Sequence, residues 1–248
     1  MSEKKVILIT GSSKGIGAVL LKSFALKDFD VILNYSKSEK EALTLFNEIS
    51  VFSNGILKVK ADVSDRDQVR DMFNQAVDRF GKVDVLINNA GLNIDDSFLN
   101  MTDEKWKKVI DTNLTGTFIC SQEFAFHFKG ENGHIINIGA STGIRGRKNG
   151  VNYCSAKAGV ITLTKCLALE LSPKIRVNCI IPGLINTEEV MTRYNLYDKN
   201  NFDSTINSIP LRRIGTPEDI FKVAYYIINE DTYINGQNIF VNGGDYMG

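Results

Sequence analysis

The chain has 248 residues, 43% of them hydrophobic, and 29 lysines and arginines balance 29 aspartates and glutamates to a net charge of zero. This length suits one large α/β core, and the lack of a basic excess argues against a nucleic-acid-binding protein. With two histidines and no Cys-x-x-Cys spacing among four cysteines, we expect neither a metal site nor a disulfide framework.

The chain contains no apolar run as long as a membrane span. The apolar stretch at residues 6–9 is too short for a signal peptide, so we expect a cytoplasmic protein without membrane contact. The cysteines lie among apolar residues, which predicts buried thiols in a reducing compartment. They are Cys120, Cys154, Cys166 and Cys179.

Short β-branched runs alternate with longer amphipathic segments along the chain. Strands are predicted at residues 6–10, 30–35, 56–61, 83–88, 134–138 and 176–181. Helices are predicted at residues 16–26, 39–49, 66–80, 103–128 and 151–171, and again after Thr216-Pro217. Strands that are apolar along their whole length belong in a parallel sheet covered on both faces. The pattern predicts a single α/β domain over residues 1–248, with a doubly wound parallel sheet of about seven strands.

Residues 186–208 form a polar, tyrosine-rich segment with weak periodicity after the sixth strand. Such an excursion over the carboxyl edge of a sheet is typical of a lid. We therefore predict a substrate lid at residues 186–208, within the single domain.

The first predicted strand leads through a glycine-rich turn into a helix. A strand, glycine turn and helix direct backbone N–H groups at a phosphate, and the glycines allow close approach. Three glycines in a loop are weak evidence alone, but this position in an α/β chain favours dinucleotide binding and a Rossmann fold. The predicted contacts are Gly11, Ser13, Lys14, Gly15, Ile16 and Gly17.

Further motifs follow in a characteristic order. Asn88-Asn89-Ala90-Gly91 ends the fourth strand, Asn113 lies in the next helix, Tyr153-x-x-x-Lys157 follows, and Pro182-Gly183 ends the sixth strand. Over nearly the whole chain this order resembles the classical short-chain dehydrogenase/reductases. The run at residues 209–219 is most similar to the 3-oxoacyl-acyl-carrier-protein reductase branch, and several sugar and polyol dehydrogenases share much of it.

Tyr153 and Lys157 are four residues apart, so both lie on one helix face. A free tyrosine, with a pKa of about 10, is a poor acid–base catalyst near neutrality unless a cation stabilises its phenolate. Lys157 offers that charge. The resemblance implies that Tyr153 exchanges a proton with the substrate oxygen, that Lys157 also holds the nicotinamide ribose, and that Asn113 holds a water of a proton relay.

The resemblance also implies contacts to the rest of the dinucleotide. Asp62, beside Val63, would bind the adenine, although a helix cap near Asp65 is an alternative role. Thr187 would bind the nicotinamide carboxamide, and a solvated loop threonine is the alternative. The other implied contacts are Asn89, Ala90, Gly91, Pro182 and Gly183.

The end of the second strand indicates the cofactor NADP(H). NAD enzymes of this class carry an acid there for the 2′-hydroxyl, and the matching position is Tyr35, so no carboxylate repels a 2′-phosphate. Lys14 occupies a place where NADP-preferring members of the family carry a base, and Lys37 lies close by. The alternative for both lysines is an ordinary surface position.

The family places a serine thirteen residues before the catalytic tyrosine, where this chain has Ala140. Either a one-residue shift brings Ser141 to the substrate, or the site works without that hydroxyl. A hydroxyl so close needs little loop adjustment, and we therefore expect Ser141 to reach the substrate. The alternative role of Ser141 is a local turn contact.

The resemblance implies reduction of a small-molecule ketone, with a 3-oxoacyl thioester on a carrier protein as the expected substrate. A sugar or polyol dehydrogenase and a non-catalytic nucleotide-binding regulator are the alternatives. Two features depart from the acyl reductases. Ile94-Asp95 stands where that branch carries an arginine, and the basic patch expected for an acidic carrier protein rests on Arg145, Arg147 and Lys148, or on Lys174.

The predicted helices at residues 103–128 and 151–171 are apolar on more than one face. The second carries the small residues Ser155, Ala156, Ala158 and Gly159, which permit close approach of a neighbouring element. Because family members pair these helices across a twofold axis, we expect a homotetramer. The alternative is that the small residues fit the helix against its own sheet.

Overall fold

The computed structural model describes residues 4–230 and 233–247. These residues form a seven-stranded sheet in the order β3-β2-β1-β4-β5-β6-β7, in which every neighbouring pair is parallel. This confirms the predicted α/β Rossmann class. The strands are β1 Val6–Ile9, β2 Asp30–Tyr35, β3 Ile56–Lys60, β4 Val85–Asn88, β5 Gly133–Ile138, β6 Ile175–Pro182 and β7 Asn238–Val241.

Helices cover both faces of this sheet. Side chains of β1 alternate between two hydrophobic clusters, with Ile7 and Ile9 in one and Val6 and Leu8 in the other. The helices are α1 Gly15–Leu26, α2 Glu39–Ser50, α3 Arg66–Phe80, α4 Asp103–Ile110, α5 Gly116–His127, α6 Thr142–Arg145, α7 Val151–Leu171, α8 Glu188–Arg193, α9 Lys199–Ser208 and α10 Pro217–Asn229.

Strand β1 pairs with both β2 and β4, so the strand order reverses between β1 and β4. The loops after these two strands diverge to opposite sides of the sheet and leave a crevice at its carboxyl edge. Ligands of open α/β sheets bind at such a switch point. The fold thus places the glycine turn after β1 next to the loop after β4.

The predicted helix over residues 103–128 is helical without a gap from Asp103 to His127, but its middle is not α-helical. Helices α4 and α5 are joined by a π-helical turn at Asp111–Thr115, which contains the buried Asn113. The side-chain amide of Asn113 donates to the carbonyl of Val109, four residues earlier, at 2.9 Å. Single π-helical turns inside helices are frequent at functional sites.

The expectation of four buried thiols holds for Cys120 and Cys179, whereas Cys154 is partly exposed and Cys166 is exposed. Cys166 follows the buried Thr164 by two residues, which is about 200° around a helix, and therefore points away from the sheet. All four cysteines are free.

The segment at residues 186–208 contains α8 and α9. Over the described ranges, no helix is long and apolar enough to cross a membrane. Within the same part of the chain, no three His, Cys, Asp or Glu side chains are grouped to hold a metal ion.

Candidate active site

A cavity of about 1410 Å³ opens at the carboxyl edge of the sheet. It brings together nearly all of the residues that the sequence singles out, from seven separate stretches of chain. Of the predicted catalytic and cofactor-binding residues, only Gly17 and Ser141 are missing from its lining. The predicted residues that line it are Gly11, Ser13, Lys14, Gly15, Ile16, Tyr35, Lys37, Asp62, Val63, Asn89, Ala90, Gly91, Asn113, Tyr153, Lys157, Pro182, Gly183 and Thr187.

The glycine turn is shaped by close backbone contacts. Gly11 has a φ of 61°, and a Cβ atom there would lie 2.8 Å from Cα of Ala90. A Cβ atom on Gly17 would lie 2.5 Å from Nδ2 of Asn89, so Gly17 packs α1 against the loop after β4 instead of lining the cavity. Larger residues at either position would push the turn off the sheet.

The space above the first turn of α1 is open. Around Gly15, which has a φ of 59°, the nearest atom to a Cβ would be Cγ2 of Thr187 at 3.8 Å. The helix N-terminus directs backbone N–H groups and a partial positive charge into this space. The residues present therefore fit the pyrophosphate of a dinucleotide.

Three polar side chains to which the sequence analysis gave no role hold the turn in place. The hydroxyl of Thr10 accepts hydrogen bonds from the backbone N–H groups of Asn89 and Ala90, both at 3.0 Å. Oδ1 of Asn34 accepts from the N–H of Gly11 at 3.0 Å, and the Ser12 hydroxyl accepts from the N–H of Asn34 at 3.1 Å. An asparagine at the end of an apolar strand was the only sequence signal for this brace.

The wall expected to contact the 2′-position of the adenine ribose is mixed in charge. Tyr35 is buried at the end of β2, while Lys14 and Lys37 are exposed and line the cavity. Glu41 of α2 also lines this wall, which the sequence analysis did not consider.

The alternative roles of Asp62 and Thr187 resolve differently. Asp65, not Asp62, caps α3, with its side chain accepting from the N–H groups of Asp67 and Gln68. Asp62 lines the cavity while its Oδ1 accepts from the Ser64 hydroxyl at 2.7 Å. Thr187 lines the cavity and also caps α8, because its hydroxyl accepts from the N–H of Val190 at 3.4 Å.

Lys157 lies in α7 and is only 5% exposed. Its Nζ donates to the carbonyl oxygen of Ile138 at 2.6 Å. Burial lowers the pKa of this ammonium to about 8. The same Nζ lies 5.8 Å from the ring centroid of Tyr153.

The surroundings of Tyr153 differ from the expectation of a single neighbouring cation. Burial raises the pKa of Tyr153, and the nearby Glu189 raises it further, whereas Arg147 and Arg193 lower it. The phenol is thus held in its protonated form in this structure. The cations that oppose burial are Arg147, which the sequence analysis considered only for a carrier-protein patch, and Arg193, to which it gave no role.

Asn113 carries an unused acceptor beside the cavity. Its Nδ2 donates to the carbonyl of Leu92 at 2.8 Å as well as to Val109, but its buried Oδ1 has no hydrogen-bond partner among the described residues. A Cβ atom on Gly91 would lie 2.7 Å from that Oδ1. A buried acceptor next to a polar cavity fits an ordered water.

The structure does not bring Ser141 to the cavity. Ala140 lines the cavity after β5, whereas Ser141 is buried outside the lining, and its carbonyl accepts from Ile144 and Arg145 in α6. Because α6 begins directly after Ser141, this residue belongs to a helical turn instead of an extended loop that is free to shift. The expectation that Ser141 reaches the substrate is corrected accordingly.

Most side chains of the predicted basic patch form ion pairs with acids. Arg145 pairs with Asp245 at 2.9 Å, and Lys174 lies 3.7 Å from Glu131. Arg147 pairs with Asp95 at 2.6 Å, and Arg193 of α8 pairs with the same carboxylate. Lysines do line the cavity from α4, and they are Lys107 and Lys108.

The fold and this cavity define a Rossmann-type oxidoreductase. Residues 5–197 match the sequence profile of the short chain dehydrogenases, and the chain belongs to that family. It is 38% identical over 246 residues to the 3-oxoacyl-(acyl-carrier-protein) reductase FabG of Staphylococcus epidermidis, covering 98% of this chain and 99% of that one.

Two solved structures are similar over the whole chain. A short chain dehydrogenase from Bacillus anthracis is 35% identical with a TM-score of 0.89, covering 99% of this chain and 98% of that one. A glucose/ribitol dehydrogenase from Brucella melitensis is 29% identical with a TM-score of 0.91, covering 99% of both chains. The predicted family and enzyme class are confirmed, and the chain is an oxidoreductase that uses a nicotinamide cofactor.

Proposed function

We propose that this enzyme reduces 3-oxoacyl thioesters to secondary alcohols with NADPH. The observation that carries the proposal is the meeting of Tyr153, Lys157 and the glycine turn in one cavity. The full-length similarity to a 3-oxoacyl-(acyl-carrier-protein) reductase supports this substrate class. Because the family is one of enzymes, it argues against the alternative of a non-catalytic regulator.

The bound nicotinamide dinucleotide supplies the hydride. Tyr153 donates the proton to the carbonyl oxygen of the substrate, because burial keeps its phenol protonated. Lys157 stabilises the phenolate that remains and would hold the nicotinamide ribose of the bound cofactor. Asn113 holds, at its free Oδ1, the water through which Lys157 and Tyr153 recover a proton.

The preference for NADP(H) rests on Lys14 and Lys37. Both are exposed at the cavity wall beside Tyr35, where the charge of a 2′-phosphate would be met. Glu41 lies on the same wall, and its negative charge would reduce the preference for NADP(H) over NAD(H). Asp62 and Val63 would receive the adenine.

The proposed substrate is carried on an acidic carrier protein. Lys107 and Lys108 of α4 are exposed where α4 borders the cavity, and they replace the predicted basic patch as the surface that meets this partner. The segment 186–208 remains the proposed lid, because Glu188, Glu189 and Arg193 of α8 line the cavity.

We further propose a cytoplasmic homotetramer. Large apolar side chains are exposed on α5 and α7, where Phe126 is 71% and Leu169 83% exposed. Burial of such side chains against a second copy is favourable. Gly159 packs within its own chain, since a Cβ atom there would lie 2.7 Å from Leu114 of the π-helical turn, which is neither the sheet nor a second copy.

A second candidate is the oxidation of sugars or polyols, which the similarity to a glucose/ribitol dehydrogenase favours. The two candidates are separated by NADPH absorbance loss with an acetoacetyl thioester against NAD(P)+ reduction with a panel of sugars. We expect turnover in the first assay only. Turnover confined to the sugar panel would reject the acyl reductase assignment.

A further inference from the structure

A carboxylate beside the cavity holds two arginines near the proposed proton donor. Asp95 follows β4, Arg147 precedes α7 and Arg193 ends α8. Nη1 and Nη2 of Arg147 donate to the two oxygens of Asp95 at 2.7 and 2.6 Å, and Nη1 of Arg193 donates to Asp95 at 2.8 Å. The side chain of Asp95 is 27% exposed, that of Arg147 19% and that of Arg193 23%. Solvent therefore screens these ion pairs only partly.

The guanidinium of Arg147 also contacts Tyr153. Its Cζ lies 5.7 Å from the ring centroid, within the range of a cation–π interaction. Nη2 of Arg147 donates a further bond to Oδ1 of Asn93 at 3.0 Å, which fixes the plane of the guanidinium. Arg147 does not line the cavity itself, whereas its partner Asn93 does.

We propose that Arg147, held by Asp95 and Asn93, is a positioning residue that acts as a second cation for Tyr153, beside Lys157, and stabilises its phenolate. This inference rests on the proposed function, in which Tyr153 exchanges a proton with the substrate.

The other charges near Tyr153 define what Arg147 contributes. Arg193 also pairs with Glu189 at 2.7 Å, so its charge is shared between two carboxylates. Arg147 and Arg193 lower the pKa of Tyr153, whereas Glu189 and Tyr194 raise it. The groups near Tyr153 from its own helix and from the packed elements are Lys157, Arg147, Glu189, Arg193 and Tyr194, and the carboxylate of Asp95 pairs with both arginines.

The first test is a titration of tyrosinate absorbance in the protein without cofactor, taken as the difference from the same protein carrying Tyr153→Phe. Arg147→Gln is expected to move the ionisation of Tyr153 upward by about half a pH unit or more, so the ionised fraction at a given alkaline pH falls about threefold. Arg147→Lys should keep most of the wild-type behaviour. Arg145→Gln is the matched control, because Arg145 ends α6 two residues before Arg147 and pairs with Asp245 instead of Asp95.

The second test is the pH dependence of kcat/KM for oxidation of a 3-hydroxyacyl thioester with NADP+. That reaction needs the phenolate, so its rising limb should move upward in Arg147→Gln and stay in place in Arg145→Gln. If Arg147→Gln does not fold, Asn93→Ala, which loosens the guanidinium, should give a smaller shift in the same direction.

An unchanged ionisation of Tyr153 in a folded Arg147→Gln protein, with wild-type melting temperature and NADPH affinity, would overturn the inference. Failure of the proposed function has a different signature. In that case the wild-type protein turns over no 3-hydroxyacyl thioester, while the absorbance titration still shows the shift and supports the role of Arg147.

Discussion

The ammonium of Lys157 donates a 2.6 Å hydrogen bond to the carbonyl oxygen of Ile138, the last residue of β5. This contact ties α7 to the carboxyl edge of the sheet and fixes the charge beside Tyr153. Lys157 is almost fully buried, and burial lowers its pKa from 10.5 to about 8. The buried charge therefore lowers the free energy of unfolding of the protein.

Replacement of the buried Lys157 by an uncharged residue should raise the stability of the protein and lower its activity. Lys157→Met is expected to raise the free energy of unfolding by about 1 kcal/mol near neutral pH, and to lower kcat at least about a hundredfold. The stability that a depressed pKa contributes is present above the unfolded value of 10.5 and is lost as pH falls through about 8. The gain in Lys157→Met should thus be largest below pH 8 and disappear at alkaline pH.

Denaturant unfolding across pH checks this prediction, with Lys165→Met on the exposed face of α7 as the control. A Lys157→Met protein that is less stable than wild type below pH 8 would show that the ammonium stabilises the fold.

The cofactor preference should depend on the charge of Lys14. Lys14→Ala is expected to weaken NADPH binding by at least about fivefold, or about 1 kcal/mol, and to leave NADH binding nearly unchanged. The reason is that only NADPH carries the 2′-phosphate. Fluorescence titration measures both affinities, with the exposed Lys40→Ala of α2 as a control outside the cavity lining. Equal losses for the two cofactors, or a wild-type preference for NADH, would contradict the assignment.

A serine introduced at residue 140 should restore the hydroxyl that the family places thirteen residues before the catalytic tyrosine. Because Ala140 lines the cavity and Ser141 does not, Ala140→Ser is expected to raise kcat by up to about tenfold, or about 1.4 kcal/mol. Ser141→Ala should leave kcat unchanged. Steady-state kinetics at saturating NADPH decide between the positions. Loss of kcat in Ser141→Ala, with no gain in Ala140→Ser, would mean that Ser141 reaches the substrate after all.

The assembly should form through the exposed apolar faces of α5 and α7. Sedimentation equilibrium is expected to give four times the 27.6 kDa mass of one chain. Leu169→Lys should lower that mass, because it places a charge at the proposed contact. Leu26→Lys, which changes an exposed leucine of α1, should not. A wild-type mass of one chain would refute the tetramer.

The parts of the fold that the sequence predicts are those set by local patterns. Apolar strands and amphipathic helices follow from side-chain periodicity, and the glycine turn is recognisable because its residues are adjacent in sequence. The pair of Tyr153 and Lys157 is likewise local, because the two residues are only four positions apart.

Contacts between segments that are far apart in the sequence could not be predicted from local patterns. Asp95 and Arg193 are 98 residues apart, and only the packing of α8 over the carboxyl edge of the sheet brings them together. The π-helical turn at Asn113 lies in the middle of a segment for which the periodicity predicted a continuous α-helix. The first turn of α6, which keeps Ser141 out of the cavity, is too short to leave a periodic signal.

The central claim is that Tyr153 is the proton donor for carbonyl reduction. The direct measurement is NADPH oxidation with a 3-oxoacyl thioester by wild type and by Tyr153→Phe, together with the NADPH dissociation constant of each. Tyr153→Phe should lose at least about a hundredfold in kcat while binding NADPH as wild type does, because it removes only the hydroxyl. Wild-type turnover retained in Tyr153→Phe would contradict the account.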